Sequence, residues 1–217
     1  MNVKNSIETT LHLLFERGVI LCVRLGPASP VLEAARAAAA GGLTVLEITL
    51  TTPGALDTIR VLANDEQLLV GAGTVLTAAD VDAVAEAGGR FVLSPVFDET
   101  VLREAERTGI LAVPGASTPT EILAAYRAGA RAVKVFPAAA LGGPAFLRAV
   151  RGPLPGVPLI PTSGPTAETL GDYFDAGAVA VGVGGEVFPP GFTLESAEVA
   201  ARRIREALDA CASRRRA

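Results

Sequence analysis

The chain has 217 residues, half of them hydrophobic, with no Trp and only 5% aromatics. Its formal net charge is -4, which supports neither a nucleic-acid partner nor binding to an anionic membrane surface. The length suits a single domain with a large core of Val, Leu, Ile and Ala, a mixture that favours buried parallel strands covered by Ala-rich helices.

The first element is an amphipathic helix over 1–17, with His12, the only histidine, on its surface. The N-terminus lacks a basic-then-apolar signal pattern, and no apolar run approaches the ~18 residues of a membrane span. Two cysteines, Cys22 and Cys211, make no disulfide framework, so a cytoplasmic location is expected. Apolar runs of strand length then recur at 19–23, 44–50, 68–74, 91–96, 111–116, 132–137, 158–164 and 178–185. Nearly all follow a helical stretch ending in Gly, as before Leu43, Arg90, Ile110, Ala130 and Ala178. Helix starts are marked by Ser29-Pro30, Thr52-Pro53, Thr77 with Asp80, Asp98-Glu99, Thr118-Pro119 and Thr166 with Glu168. The chain ends in a basic tail over 212–217, whose Arg run 214–216 is expected to be solvated.

The runs are near-continuously apolar, as strands buried on both faces must be. Eight β-then-α units without a composition break predict one α/β domain over 1–217, a closed (β/α)8 TIM barrel; a doubly wound open sheet is the alternative. Barrel active sites form at the C-terminal ends of the strands. The polar residues late in each run are Arg24, Glu47, Thr74, Ser94, Lys134, Thr162 and Ser163, with glycines 182, 184 and 185.

Of 19 Lys plus Arg, only Lys4 and Lys134 are lysines, and Lys134 stands mid-run in Ala-Val-Lys-Val-Phe-Pro. Arg stays charged and cannot act as an amine nucleophile, whereas a desolvated Lys can. The competing reading is a Lys paired with a buried acid or snorkelling to the rim. Glu47 is the only acid inside a run, and alternation places Val45, Glu47 and Thr49 on one face. A carboxylate beside an amine in a dry pocket can shuttle protons and deprotonate a substrate hydroxyl; a structural ion pair with Lys134 or Arg24 is the plainer alternative. Breaking the carbon–carbon bond β to a ketone leaves a carbanion, which a protonated imine accepts as an enamine. That chemistry needs no cofactor, and one His with no ligand cluster leaves a metal-assisted route without parts.

In combination, several motifs resemble the class I 2-keto-3-deoxy-6-phosphogluconate (KDPG) and 4-hydroxy-2-oxoglutarate (KHG) aldolases. They are Val-Leu-Glu-Ile-Thr at 45–49, Gly-Ala-Gly-Thr-Val at 71–75, Ser-Pro at 94–95, Pro-Gly at 114–115, Lys-Val-Phe-Pro at 134–137 and Pro-Thr-Ser-Gly at 161–164. The resemblance implies a homotrimer of (β/α)8 barrels acting on a small 2-keto acid or sugar-acid phosphate. It implies Lys134 as the Schiff-base lysine and Glu47 as the acid/base, working partly through a bound water. Thr74 would hold the pyruvate carboxylate, Phe136 and Pro95 would wall the methylene, and Thr162 would face the substrate hydroxyls. Gly164 and the glycines 184 and 185 would offer N–H groups to a phosphate. Some members carry Arg where this chain has Thr51, and others use an Arg at the place of Arg24, which is then expected to take the carboxylate or form a rim salt bridge. Glu186 departs from the family's Ser, with Ser163 expected to compensate; an inward Glu186 would repel phosphate, and an outward one would face solvent. Three other readings remain at this level: a phosphate-binding barrel isomerase or epimerase, an aldolase for an unphosphorylated or galactonate-type 2-keto-3-deoxy acid, and a non-catalytic barrel that binds keto acids.

Overall fold

The computed structural model describes residues 3–212. Strands and helices alternate along the chain: α1 (Val3–Arg17), β1 (Val19–Val23), α2 (Val31–Ala40), β2 (Val45–Thr49), α3 (Ala55–Leu62), β3 (Leu69–Gly73), α4 (Ala78–Glu86), β4 (Phe91–Leu93) and α5 (Glu99–Thr108). They continue with β5 (Leu111–Val113), β6 (Gly115–Ala116), α6 (Pro119–Arg127), β7 (Val133–Val135), α7 (Pro144–Arg151), β8 (Leu159–Pro161), α8 (Leu170–Asp175), β9 (Val181–Val183) and α9 (Leu194–Ala210). The run at 111–116 is split at Pro114, which has no N–H to give a ladder. The Arg run 214–216 lies outside the described residues.

All strand pairing is parallel, in one sheet ordered β5-β4-β3-β2-β1-β9 and another ordered β6-β7-β8. Single parallel bridges, Leu159 with Ala178 and Thr162 with Gly182, join the β8 and β9 segments. Parallel neighbours need crossovers, and the helices supply them.

Alternation sorts the side chains into two cores. Leu21, Leu46, Val70, Val133, Leu159 and Val181 face outward against the helices. Ile20, Val45, Leu69, Phe91, Leu111, Ala132, Ile160 and Ala180 form a separate inner cluster, which Ile7 and Leu14 of α1 join. Each large aliphatic or aromatic side chain so buried contributes about 1.5–3 kcal/mol. Inner-facing positions are thus filled by apolar groups at the N-terminal ends of the strands. Polar groups begin one or two positions further on.

Capping follows the expected chemistry at three of the six marked starts. Thr77 and Thr118 form reciprocal boxes with Asp80 and Glu121, and Asp98 accepts from Thr100 and Val101 N–H. At the others the helix begins later or uncapped. Pro30 precedes α2 with no side-chain bond, Gly54 precedes α3, and Thr169 rather than Thr166 precedes α8. Thr52 does not cap α3; its hydroxyl turns to Thr49 and to the end of β1. Left-handed Gly109 ends α5, as the Thr-Gly junction predicts. His12 is exposed on α1.

Candidate active site

Inner-face alternation in β7 carries Ala132 towards the apolar cluster and Lys134 one step nearer the C-terminal end. The same alternation in β2 places Val45 in the cluster and Glu47 beyond it. These strands belong to different sheets, yet their side chains meet: Lys134 Nζ lies 3.4 Å from Glu47 Oε1. The ammonium and carboxylate side chains are 6% and 0% exposed. A pair so desolvated is weak evidence for stability, because burial of both charges offsets much of their attraction. Glu47 Oε2 and Thr162 Oγ1 are buried with no hydrogen-bond partner among the described residues. Orphaned buried acceptors of this kind cost about 1–3 kcal/mol each, and a ligand that bonds them recovers it.

Gly73 makes the room for Glu47. A Cβ there would overlap the Glu47 carboxylate, so only a residue without one lets the acid lie flat against β3. Gly182 serves Thr162 in the same way across the β8–β9 bridge.

A cavity of about 750 Å³ opens onto this floor. Of the expected residues, Arg24, Lys134, Phe136, Thr162, Ser163, Gly164, Gly184 and Gly185 line it. The Phe136 ring centroid is 5.4 Å from Lys134 Nζ. Glu47, Thr51, Thr74 and Pro95 do not line it: Glu47 lies behind Lys134, and Pro95 abuts Gly115. Thr51 and Thr74 reach the cavity wall through Arg24, whose Nη1 donates to Thr51 Oγ1 at 2.7 Å and Nη2 to Thr74 Oγ1 at 2.9 Å. Arg24 therefore makes hydroxyl bonds in place of the rim salt bridge.

Thr74 and Ser163 are the non-glycine residues with positive φ among those described, at 60° and 65°. Both follow strand ends at the site, and such backbone costs about 1–3 kcal/mol each, typical of functional loops.

Glu186 also lines the cavity, and both oxygens of its carboxylate have partners. Oε2 accepts the Ala167 N–H at 2.9 Å, and Oε1 lies 3.9 Å from Arg203, which also pairs with Glu168. Glu186 is thus held by a backbone N–H and shares Arg203 with Glu168, rather than standing free in solvent.

Cys22, Pro165, Thr166, Val183 and Phe188 also line the cavity and were not expected there. Cys22 had a readable signal, since it shares parity with Ile20 and Arg24 in the first run. Burial first, then the Glu47 charge, pushes its thiol up to about 12, against the opposing pull of Lys134 and Arg24. No group of three or more His, Cys, Asp or Glu among the described residues is placed to hold a metal ion. No described helix is long and apolar enough to cross a membrane.

Residues 12–202 match the protein family described as KDPG and KHG aldolase. The chain is 38% identical over 204 residues to the 2-dehydro-3-deoxy-phosphogluconate aldolase of Pseudomonas aeruginosa, covering 93% of this chain and 92% of that one. It is 37% identical over 198 residues to the KHG/KDPG aldolase of Escherichia coli K12, covering 91% of each. Among solved structures, the Legionella pneumophila KDPG aldolase with pyruvate captured as a covalent carbinolamine superposes with a TM-score of 0.77 at 31% identity, covering 91% of this chain and 96% of that one. The match spans nearly all of the chain and includes both strands that bring Lys134 to Glu47, so this protein belongs to the KDPG and KHG aldolase family.

Proposed function

We propose that the chain is a class I aldolase cleaving 2-keto-3-deoxy-6-phosphogluconate to pyruvate and glyceraldehyde 3-phosphate, with 4-hydroxy-2-oxoglutarate, cleaved to pyruvate and glyoxylate, as a second substrate. The observation that carries this is the buried Lys134–Glu47 contact across two strands, with Lys134 lining the cavity and one oxygen of the Glu47 behind it left without a partner. The Lys134 amine adds to the C2 ketone, and loss of water leaves a protonated imine. Glu47, set behind Lys134, removes the C4 hydroxyl proton through a bridging water. As that C–O becomes an aldehyde, the C3–C4 bond breaks and its electron pair flows to C3, C2 and the imine nitrogen. The resulting enamine is protonated at C3, and water releases pyruvate and the free amine. General acid–base work of this kind contributes about 10²–10⁴-fold.

Arg24 receives the carboxylate, with Thr51 and Thr74 at the same end, and Phe136, which lines the cavity, flanks the methylene. Thr162, whose hydroxyl is unpartnered, bonds the substrate hydroxyls. Ser163, Gly164, Gly184 and Gly185 offer donors to the phosphate, supported by Glu186 being tethered away. The β8–β9 bridges and the continuity of β5 with β6 support reading the two sheets as one closed (β/α)8 barrel and one domain. The family resemblance supports a homotrimer, which sedimentation tests, and the free cysteines suit a cytoplasmic location.

The test is pyruvate release from the phosphorylated six-carbon acid, its unphosphorylated form and 4-hydroxy-2-oxoglutarate. The reading expects fastest cleavage of the first and none from a folded Lys134→Arg variant. No pyruvate from any substrate, or full turnover by Lys134→Arg, overturns it.

A further inference from the structure

We infer that Thr51, together with Thr74, is a positioning residue that holds the Arg24 guanidinium ready for the substrate carboxylate. The inference rests on the assignment of Arg24 to that carboxylate. Arg24 stands just past β1 in an exposed stretch, where a long side chain ordinarily samples many rotamers or pairs with an acid. Here its two terminal nitrogens are bonded to Thr51 and Thr74 at 2.7 and 2.9 Å. Both acceptors are neutral, so the cation is fixed without being neutralised. A guanidinium has five N–H donors, and the two threonine bonds leave the others for a ligand.

The threonines are themselves anchored. Thr51 Oγ1 is 3.2 Å from the fully buried Thr49 Oγ1, which lies 2.9 Å from Thr52 Oγ1. Thr52 Oγ1 accepts the backbone N–H of Leu25, the residue after Arg24, at 3.2 Å. The segment 49–52 therefore ties down both the backbone beside Arg24 and its guanidinium. Thr74 approaches from β3, with φ at 60°, directly after the Gly73 against which Glu47 lies. The ends of β2 and β3 thus set the carboxylate receiver and the acid beside Lys134 together.

A receiver already in place spares the substrate the ordering of a flexible side chain. The carboxylate contact is the same before and during bond breaking, so its weakening appears in KM and not in kcat.

The test measures KM and kcat for Thr51→Val, Thr51→Ser, Arg24→Ala and the double variant Arg24→Ala/Thr51→Val, alongside their Tm values. Valine matches threonine in shape and Thr51 is exposed, so folding is retained; Thr51→Ala repeats the comparison should the valine variant melt early. Thr51→Val is expected to raise KM about tenfold with kcat nearly unchanged. Thr51→Ser is expected to restore KM, and Thr51→Val to be silent once Arg24 is gone. An unchanged KM in Thr51→Val, or the same rise in the Arg24→Ala background, overturns the positioning role while leaving Arg24 as receiver. A wild-type KM in Arg24→Ala overturns the parent assignment, and this inference with it.

Discussion

Adding one methyl group at Gly73, which performs no chemistry, is expected to disable the site. A Cβ at this position overlaps the carboxylate of Glu47, a side chain with no exposure to move into. Glu47 must then shift by about an ångström, and its 3.4 Å contact with Lys134 Nζ is lost or misaligned. Misplacement on this scale costs about 10²-fold in rate. Overpacking adds about 1–3 kcal/mol of destabilisation. At about 2–4 °C for each kcal/mol in a chain of this size, Tm falls by roughly 2–12 °C. Pyruvate release and thermal unfolding of Gly73→Ala read both effects. Gly156→Ala is the control, because a Cβ there meets no atom within 4 Å. A Gly73→Ala enzyme with wild-type kcat and Tm refutes the placement of Glu47 against β3.

Lys134→Ala leaves the fully buried Glu47 carboxylate without its counter-ion, so urea unfolding is expected to show a loss of about 3–5 kcal/mol, much of it recovered by adding Glu47→Gln; equal stability of both variants contradicts this. Cys22, with its thiol raised from 9.0 to about 12, is neutral at pH 8 and should resist alkylation in the folded enzyme, reacting appreciably only in strong alkali. The folded state holds the Cys22 proton more tightly than the unfolded chain, so this contribution to stability is intact below pH 9 and declines from about 9 to 12. Glu186→Gln keeps an acceptor for the Ala167 N–H but drops the charge, so KM for the phosphorylated acid should change less than about threefold. A tenfold fall in KM there means that the carboxylate faces the phosphate.

The strand runs, the shared face of Val45, Glu47 and Thr49, and Lys134 as the exceptional lysine were legible because alternation and the scarcity of Lys are local properties of the chain; the choice of Lys134 over Arg24 as the partner of Glu47 was not. What lay beyond reach depended on tertiary neighbours. Thr52-Pro53 has the composition of a helix cap, yet Thr52 is drawn to the β1 exit by Leu25 and Thr49, and α3 begins two residues after Pro53. Glu186 was readable only as a charge of unknown direction, since Ala167 and Arg203, which turn it aside, come from separate elements. Gly73 was legible only as part of the Gly-Ala-Gly-Thr-Val motif and not as the space for Glu47, because register between β2 and β3 decides which residues lie side by side.

Lys134 supplies the amine of a covalent imine. Incubating the enzyme with pyruvate and borohydride, then mapping the modified peptide by mass spectrometry, tests it directly. One reduced pyruvyl adduct per chain is expected, located on Lys134 and absent from Lys134→Arg. No adduct, or an adduct on another amine with Lys134 untouched, contradicts it.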